Sequence, residues 1–293
     1  MSFFRYPGGK SKLCRALCVN LHTQIAADTD EYREPFFGGG SLLDCLRIMR
    51  GTIDKIWIND KDRALADLWT SVIRYPKPLQ KKVAEFSPST EAFYNFKKKL
   101  TANKSHSDTQ RSIVQHGFMK LAIHQISYSG LGTKSGGPLG GREQASKYKV
   151  DCRWSPSYIN RQIQEHHELF SRFQVREDRC TSYDFQELLD EDCSKRMLVY
   201  LDPPYYVQGN SLYEEQFSED DHRRLAKCLK SAKFRWTLSY DKCPEVMSLY
   251  EDWASIEKLD VTYSIVTKKS ASPRVELMIH NGGKKKKKVG RLR

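Results

Sequence analysis

With 293 residues, 39% hydrophobic and 11% aromatic, the chain has material for one α/β domain with an insertion or for two modest domains. Its net charge of +13 points toward a polyanionic partner. No apolar run approaches the ~18 residues of a membrane span, and Met1-Ser2-Phe3-Phe4-Arg5 has no cleavable signal architecture, so we expect a cytoplasmic protein.

The segment Arg5-Tyr6-Pro7-Gly8-Gly9-Lys10-Ser11 predicts a loop. It is not a phosphate loop, because the first glycine of G-x-x-x-x-G-K would fall on Phe4. It presents a ring and a lysine instead. Leu13, Leu17 and Leu21 predict a helix within residues 11–26. Glu31 to Phe37 reads as an extended stretch ending in Gly38-Gly39-Gly40, and Ser41 then caps an amphipathic helix to about Met49. The third glycine of a dinucleotide fingerprint would fall on Leu43. The turn still lets a ligand approach the backbone and turns a helix N-terminus toward its polar groups. Lys55-Ile56-Trp57-Ile58 predicts a buried strand ending at Asn59-Asp60, with a helix over Ala64–Ile73 beyond it. Asp60 suits hydrogen bonds from a ribose; the alternative is ordinary capping of the following helix.

Residues 67–174 hold 17 Lys/Arg against 8 Asp/Glu, while 1–66 hold 10 against 8 and 175–283 hold 15 against 20. A basic, mostly helical block between such flanks reads either as a polyanion-binding module inserted into a catalytic frame or as a solvated basic face. Its Gly/Ser-rich loop, Ser127–Gly141, precedes the cluster Lys147-Tyr148-Lys149 and Arg153-Trp154. Strands return at Arg196–Leu201, at Phe234–Ser239 and in a hairpin of Val261–Val266 with Arg274–Ile279. Lys284–Arg293 is a basic tail that we expect to be disordered. It reads as a nuclear import signal, a loose nucleic-acid anchor, a solubilising tail or a fusion remnant. The eight cysteines form no C-x-x-C pair and are not spaced with histidines as zinc ligands, which predicts reduced structural thiols and no metal site.

Asp202-Pro203-Pro204-Tyr205 follows a hydrophobic strand, at the carboxyl edge where α/β enzymes bind ligands. Two prolines make the loop rigid and remove two backbone donors. A carboxylate and a fixed carbonyl suit the two N–H groups of an exocyclic amine: Asp202 and the Pro203 carbonyl accept them and aim the nitrogen lone pair at an electrophilic methyl. Tyr205 stacks on the base.

Together, Arg5-Tyr6-Pro7-Gly8-Gly9-Lys10, Glu34-Pro35-Phe36-Phe37-Gly38-Gly39-Gly40-Ser41, Asn59-Asp60 and Asp202-Pro203-Pro204-Tyr205 resemble the D12 class, or Dam-like family, of adenine-N6 DNA methyltransferases. Tyr128-Ser129-Gly130-Leu131-Gly132 and Lys147 to Trp154 look like that family's recognition region, and Ser239-Tyr240-Asp241 and Arg274–Ile279 like its closing strands. The resemblance covers about residues 3–281.

It implies a Rossmann-like α/β sheet that uses S-adenosylmethionine, with an inserted, mostly helical DNA-recognition domain. Residues 1–66 and 175–283 would form the catalytic domain, 67–174 the insertion and 284–293 the tail. Tyr6, Lys10, Glu34, Phe36, Gly38, Gly39, Gly40, Asp60 and Asp202 would border the cofactor, with Ser182 and Tyr183 near its adenine. Tyr128, Lys134, Arg142, Lys147, Lys149 and Arg153 would meet double-stranded DNA. The target adenine would be rotated out of the duplex. We expect a monomer or weak dimer, encoded by a bacterium, virus or mobile element, and leave a restriction endonuclease partner open. The rivals are cytosine-N4 methylation, an RNA adenine methyltransferase and an inactive nucleic-acid-binding protein on the same fold.

Overall fold

The computed structural model describes residues 3–8, 10, 13–49, 51–102, 107–191, 196–206, 215, 217–261 and 274–282. Among them, seven strands form one sheet: β1 (Glu31–Glu34), β2 (Lys55–Ile58), β3 (Gln174–Val175), β4 (Met197–Leu201), β5 (Arg235–Asp241), β6 (Ser255–Val261) and β7 (Arg274–His280). Their order is β3-β2-β1-β4-β5-β7-β6. The first five run parallel, and β7 lies antiparallel to both β5 and β6. Chain order reverses between β1 and β4, so a crevice is expected beyond the carboxyl ends of these two strands.

Helices cover both faces, and the strand sequences say why. All five residues of β4 are buried. Leu198 and Tyr200 pack toward one layer, while Met197, Val199 and Leu201 pack toward the other, as period-two alternation requires. The first layer holds α1 (Cys14–Gln24), α2 (Leu43–Met49), α3 (Arg63–Arg74), α4 (Pro76–Glu85), α5 (Thr90–Ala102), α6 (Gln110–Ile126) and α7 (Pro156–Phe170). The second holds α8 (Phe185–Asp190), α9 (Glu219–Ser231) and α10 (Pro244–Tyr250). One buried cluster runs from the sheet through Leu65 and Trp69 of α3 to Leu79, Phe93, Leu121 and Ile159 of the inserted helices. The segment borders at 66/67 and 174/175 fall inside α3 and β3, because charge counting does not see where a helix begins.

Several elements depart from expectation. Helix α2 starts at Leu43, and the Ser41 hydroxyl accepts instead from the Lys10 amide at 3.4 Å. Strand β3, only two residues long, carried no pattern to read. The partner of β7 is β6 at Ser255–Val261, earlier than expected; residues 262–273 lie outside the described residues, as do residue 283 and the tail 284–293. Strand β6 is an edge strand, and its sequence Ser255-Ile256-Glu257-Lys258-Leu259 shows no clean apolar alternation to read. The expectation that all cysteines are reduced fails at one pair. Cys18 of α1 and Cys45 of α2 form a disulfide, with Cα atoms 5.2 Å apart. The Cys14 sulfur stands 3.7 Å from that of Cys18. Helix packing brings these sulfurs together, and spacing along the chain gives no sign of it.

Candidate active site

The crevice between β1 and β4 opens into a cleft. Tyr6, Pro7 and Gly8 line it from the N-terminal loop, Glu34 to Gly39 from the last residue of β1 onward, Asn59 to Asp62 from beyond β2, and Asp202 and Pro204 from beyond β4. Ser41, Tyr183, Asp184, Phe185, Glu215, Phe217, Asp221 and Arg224 complete its wall.

The glycine turn is shaped by its surroundings. Gly38 and Gly40 adopt φ of +53° and +70°, a region that side chains disfavour. The Gly38 amide donates to the Asp60 carboxylate at 2.8 Å, and the Gly38 carbonyl accepts from the Trp69 indole at 2.8 Å. A Cβ on Gly40 would come within 2.8 Å of Leu43 and Trp69. Asn59 ties the next two loops together, donating to the Pro35 carbonyl at 3.0 Å and accepting from the Tyr183 amide at 2.8 Å. The cap of α3 is Asp62, which accepts from Ala64 and Leu65. Asp60 is therefore not spent on capping, and its carboxylate faces the cleft. Buried Lys120 of α6 pairs with Asp62 at 2.5 Å. Against the upward pull of burial, that ammonium holds the Asp62 carboxyl below its ordinary value.

Three further carboxyl groups share the floor. Burial pushes Asp60 up to about 7, with Asp62 adding to the shift. Burial pushes Asp202 up to about 6, opposed by Lys10. Glu34 rises well above the usual carboxylate range, through burial and the nearby charges of Asp202 and Asp60, although the Tyr32 hydroxyl donates to it at 2.7 Å. Lys10 is 3% exposed. Its ammonium pairs with Asp202 at 2.9 Å, donates to the Gly8 carbonyl at 3.1 Å and lies 4.6 Å from the centre of the Tyr205 ring. The Tyr205 hydroxyl donates to Glu276 of β7 at 3.0 Å, so the closing strand braces the Asp-Pro-Pro-Tyr loop.

Of the other anticipated residues, Phe36 and Tyr183 line the cleft. Ser182 does not; it belongs to a separate small hollow with Arg63 and Arg179, and its hydroxyl donates to the Lys61 carbonyl at 3.1 Å. Gly9 lies outside the described residues. Sequence reasoning missed Phe185, Phe217 and Arg224. Phe36 packs on Phe185 at 5.7 Å and on Phe217 at 5.6 Å, and Arg224 pairs with Asp184 at 2.9 Å while lying over the Phe185 ring. For Phe185 the signal was present in Asp184-x-x-Glu187, a capping box that starts α8 at the cleft wall.

Tyr128, Lys134, Arg142, Lys147, Lys149 and Arg153 are all exposed, Tyr128 at 65%. Their segment is anchored beneath by buried Val150 and by Trp154, whose ring meets Phe86 at 5.0 Å. Arg5, on the loop that enters the cleft, donates to the Ser127 carbonyl at 3.0 Å, and burial first and Arg153 second hold its guanidinium below its ordinary value.

The cleft offers carboxylates for ribose hydroxyls and an ammonium and aromatic faces for a purine, with Lys10 paired to its Asp202. That set fits a nucleoside joined to an amino acid. The family model of D12 class N6 adenine-specific DNA methyltransferases matches residues 6–265. Among curated protein sequences, none matches the chain.

Proposed function

Because the chain belongs to the D12 class of N6 adenine-specific DNA methyltransferases, an enzyme family that acts on DNA with a methyl donor of the S-adenosylmethionine type, we propose that the cleft beside β1 and β4 takes S-adenosylmethionine and that Asp202 acts on the target amine. Bound there, the donor supplies an electrophilic methyl group. Tyr6, Lys10, Glu34, Phe36, Gly38–Gly40 and Asp60 hold it, with Asp60 on the ribose and Phe36 on the purine. Tyr183 and Phe185 extend that wall, and Ser182 supports it through Lys61.

Asp202 accepts one N–H of adenine N6, and the Pro203 carbonyl accepts the other. Both bonds turn the nitrogen lone pair away from the ring. Lys10 keeps Asp202 ionised at neutral pH against the upward pull of burial. As nitrogen becomes cationic, the Asp202 carboxylate is the nearby base for its proton. Pro203 and Pro204 fix the loop, and Glu276 fixes Tyr205. Rate comes chiefly from this positioning. The observation that carries the reading is Asp202, paired with Lys10 at the reversal of strand order and lining one cleft with Asp60 and the glycine turn.

Residues 67–174 serve as the recognition module, with Tyr128, Lys134, Arg142, Lys147, Lys149 and Arg153 toward the duplex. Their support is exposure, charge and the anchored segment beneath. Phosphate contacts set register, and base contacts set the sequence methylated. Asp202→Ala tests the catalytic assignment. Methyl transfer should fall by at least about 10²-fold while the circular dichroism spectrum and duplex affinity persist. Activity within about tenfold of wild type would remove Asp202 from the chemistry.

A further inference from the structure

Helix α6 ends where the Ser127–Gly141 loop begins, and its last turn carries His124. This side chain is 3% exposed and has no place in the mechanism above. Its ring touches two segments that the sequence keeps more than a hundred residues apart. On one side, the ring centre is 5.2 Å from that of Tyr6 and 5.9 Å from that of Phe4. On the other, Nδ1 is 2.8 Å from the Gly130 carbonyl.

A carbonyl only accepts, so Nδ1 carries the hydrogen and Nε2 is the bare nitrogen of a neutral ring. Burial first, then the Lys120 charge, holds the imidazole down to about 3, consistent with that tautomer. The turn against it is built without side chains. Gly130 and Gly132 adopt φ of +72° and +57°; a Cβ on Gly132 would meet His124 Nε2 at 2.8 Å, and one on Gly130 would meet the Arg5 side chain at 2.9 Å. Arg5 also donates to the Ser127 carbonyl at 3.0 Å. Tyr6, next along the chain, lines the cleft, and its ring would lie 3.2 Å from a Cβ on Gly38.

Gly38, Tyr6, His124 and the Gly130–Gly132 turn thus form one unbroken series of contacts from the cofactor cleft to the recognition loop. We propose that His124 is a positioning residue that couples occupancy of the cofactor cleft to the shape of the recognition loop. A ligand against Tyr6 sets the Tyr6 ring, the Tyr6 ring sets the imidazole, and the Nδ1–H bond sets Gly130. Coupling of this kind is reciprocal: whatever factor the cofactor adds to DNA affinity, DNA adds to cofactor affinity. The inference rests on the reading of the loop as part of the recognition module.

The test is a thermodynamic box. Affinity for S-adenosylhomocysteine is measured by calorimetry with and without a duplex cut from plasmid DNA that the wild-type enzyme methylates. Duplex affinity is measured by fluorescence anisotropy with and without S-adenosylhomocysteine. Wild type should show a coupling factor of about tenfold, equal along both sides of the box. His124→Ala should shrink it below about twofold, with each single-ligand affinity within about threefold of wild type. His124→Asn, whose amide nitrogen sits close to the Nδ1 position and donates to the same carbonyl, should restore most of it; a purely space-filling role for His124 would not be rescued this way. If His124→Ala does not fold, His124→Leu makes the same test by filling the space without donating to the Gly130 carbonyl, and coupling should again fall. Undiminished coupling in a folded His124→Ala or His124→Leu protein, or no coupling in wild type, would overturn the proposal. Failure of the recognition reading shows separately, as duplex affinity unmoved when Lys147 and Lys149 are neutralised.

Discussion

Cofactor affinity should fall steeply on mild acidification, and the cause should be Asp60. Its carboxyl is pushed up to about 7 by burial, with Asp62 adding to the shift. The sign follows directly. In the ligand-free protein the raised value favours the neutral acid, so this group's stabilising contribution is complete below its ordinary range and is lost as pH rises through about 7. A ribose instead asks for the carboxylate, since its hydroxyls donate. Affinity therefore rises with pH while the ligand-free protein loses this contribution. At pH 8 about nine-tenths of Asp60 is ionised, and at pH 5.5 about one-thirtieth, so affinity should drop about 30-fold between them. Asp202, at about 6, titrates at the lower end of that window and steepens the fall there. The assay is calorimetric titration with S-adenosylhomocysteine from pH 5.5 to 8.5, on wild type and on Asp60→Asn. The asparagine keeps the shape and has no proton to lose, so its profile should flatten above pH 6.5. A flat wild-type profile, or an unchanged slope in Asp60→Asn, would refute the assignment of Asp60 to the ligand.

Two further outcomes follow from the same contacts. Neutralising Lys147 and Lys149 together should reduce the salt slope of duplex binding, log K against log salt, by about 2; a filter-binding series from 50 to 200 mM salt measures it, and an unchanged slope would take the segment off the DNA. Lys120→Met removes the partner of Asp62 and leaves a carboxylate buried beneath the cleft. It should cost about 3–5 kcal/mol of stability, read by urea denaturation, and a loss under about 1 kcal/mol would mean that solvent reaches Asp62 after all.

The site was more legible than its walls. Glu34 to Gly40, Asp60 and Asp202–Tyr205 each end a strand of the parallel sheet, and a hydrophobic run followed by Gly, Asp or Pro-Pro is a local signal. Their convergence at one crevice follows from the order β2-β1-β4, which parallel packing sets and no short window reveals. The bracing of Tyr205 by Glu276 joins residues 71 apart through the closing strand. Phe217 and Arg224 reach the cleft from α9 and the turn before it, where the sequence reads as an ordinary charged amphipathic helix. The Cys18–Cys45 bridge depends on how α1 meets α2. The sequence left Asp60 open between a ribose and the cap of α3; capping geometry picks Asp62 for the helix, and Asp60 accepts from the Gly38 amide instead.

The most direct measurement is to express the chain in a bacterium without DNA methylation and read its DNA by modified-base sequencing, with Asp202→Ala alongside. The account predicts N6-methyladenine at one defined sequence in the wild-type culture and none with Asp202→Ala. N4-methylcytosine instead, or unmodified DNA from cells that contain folded, cofactor-binding protein, would contradict it.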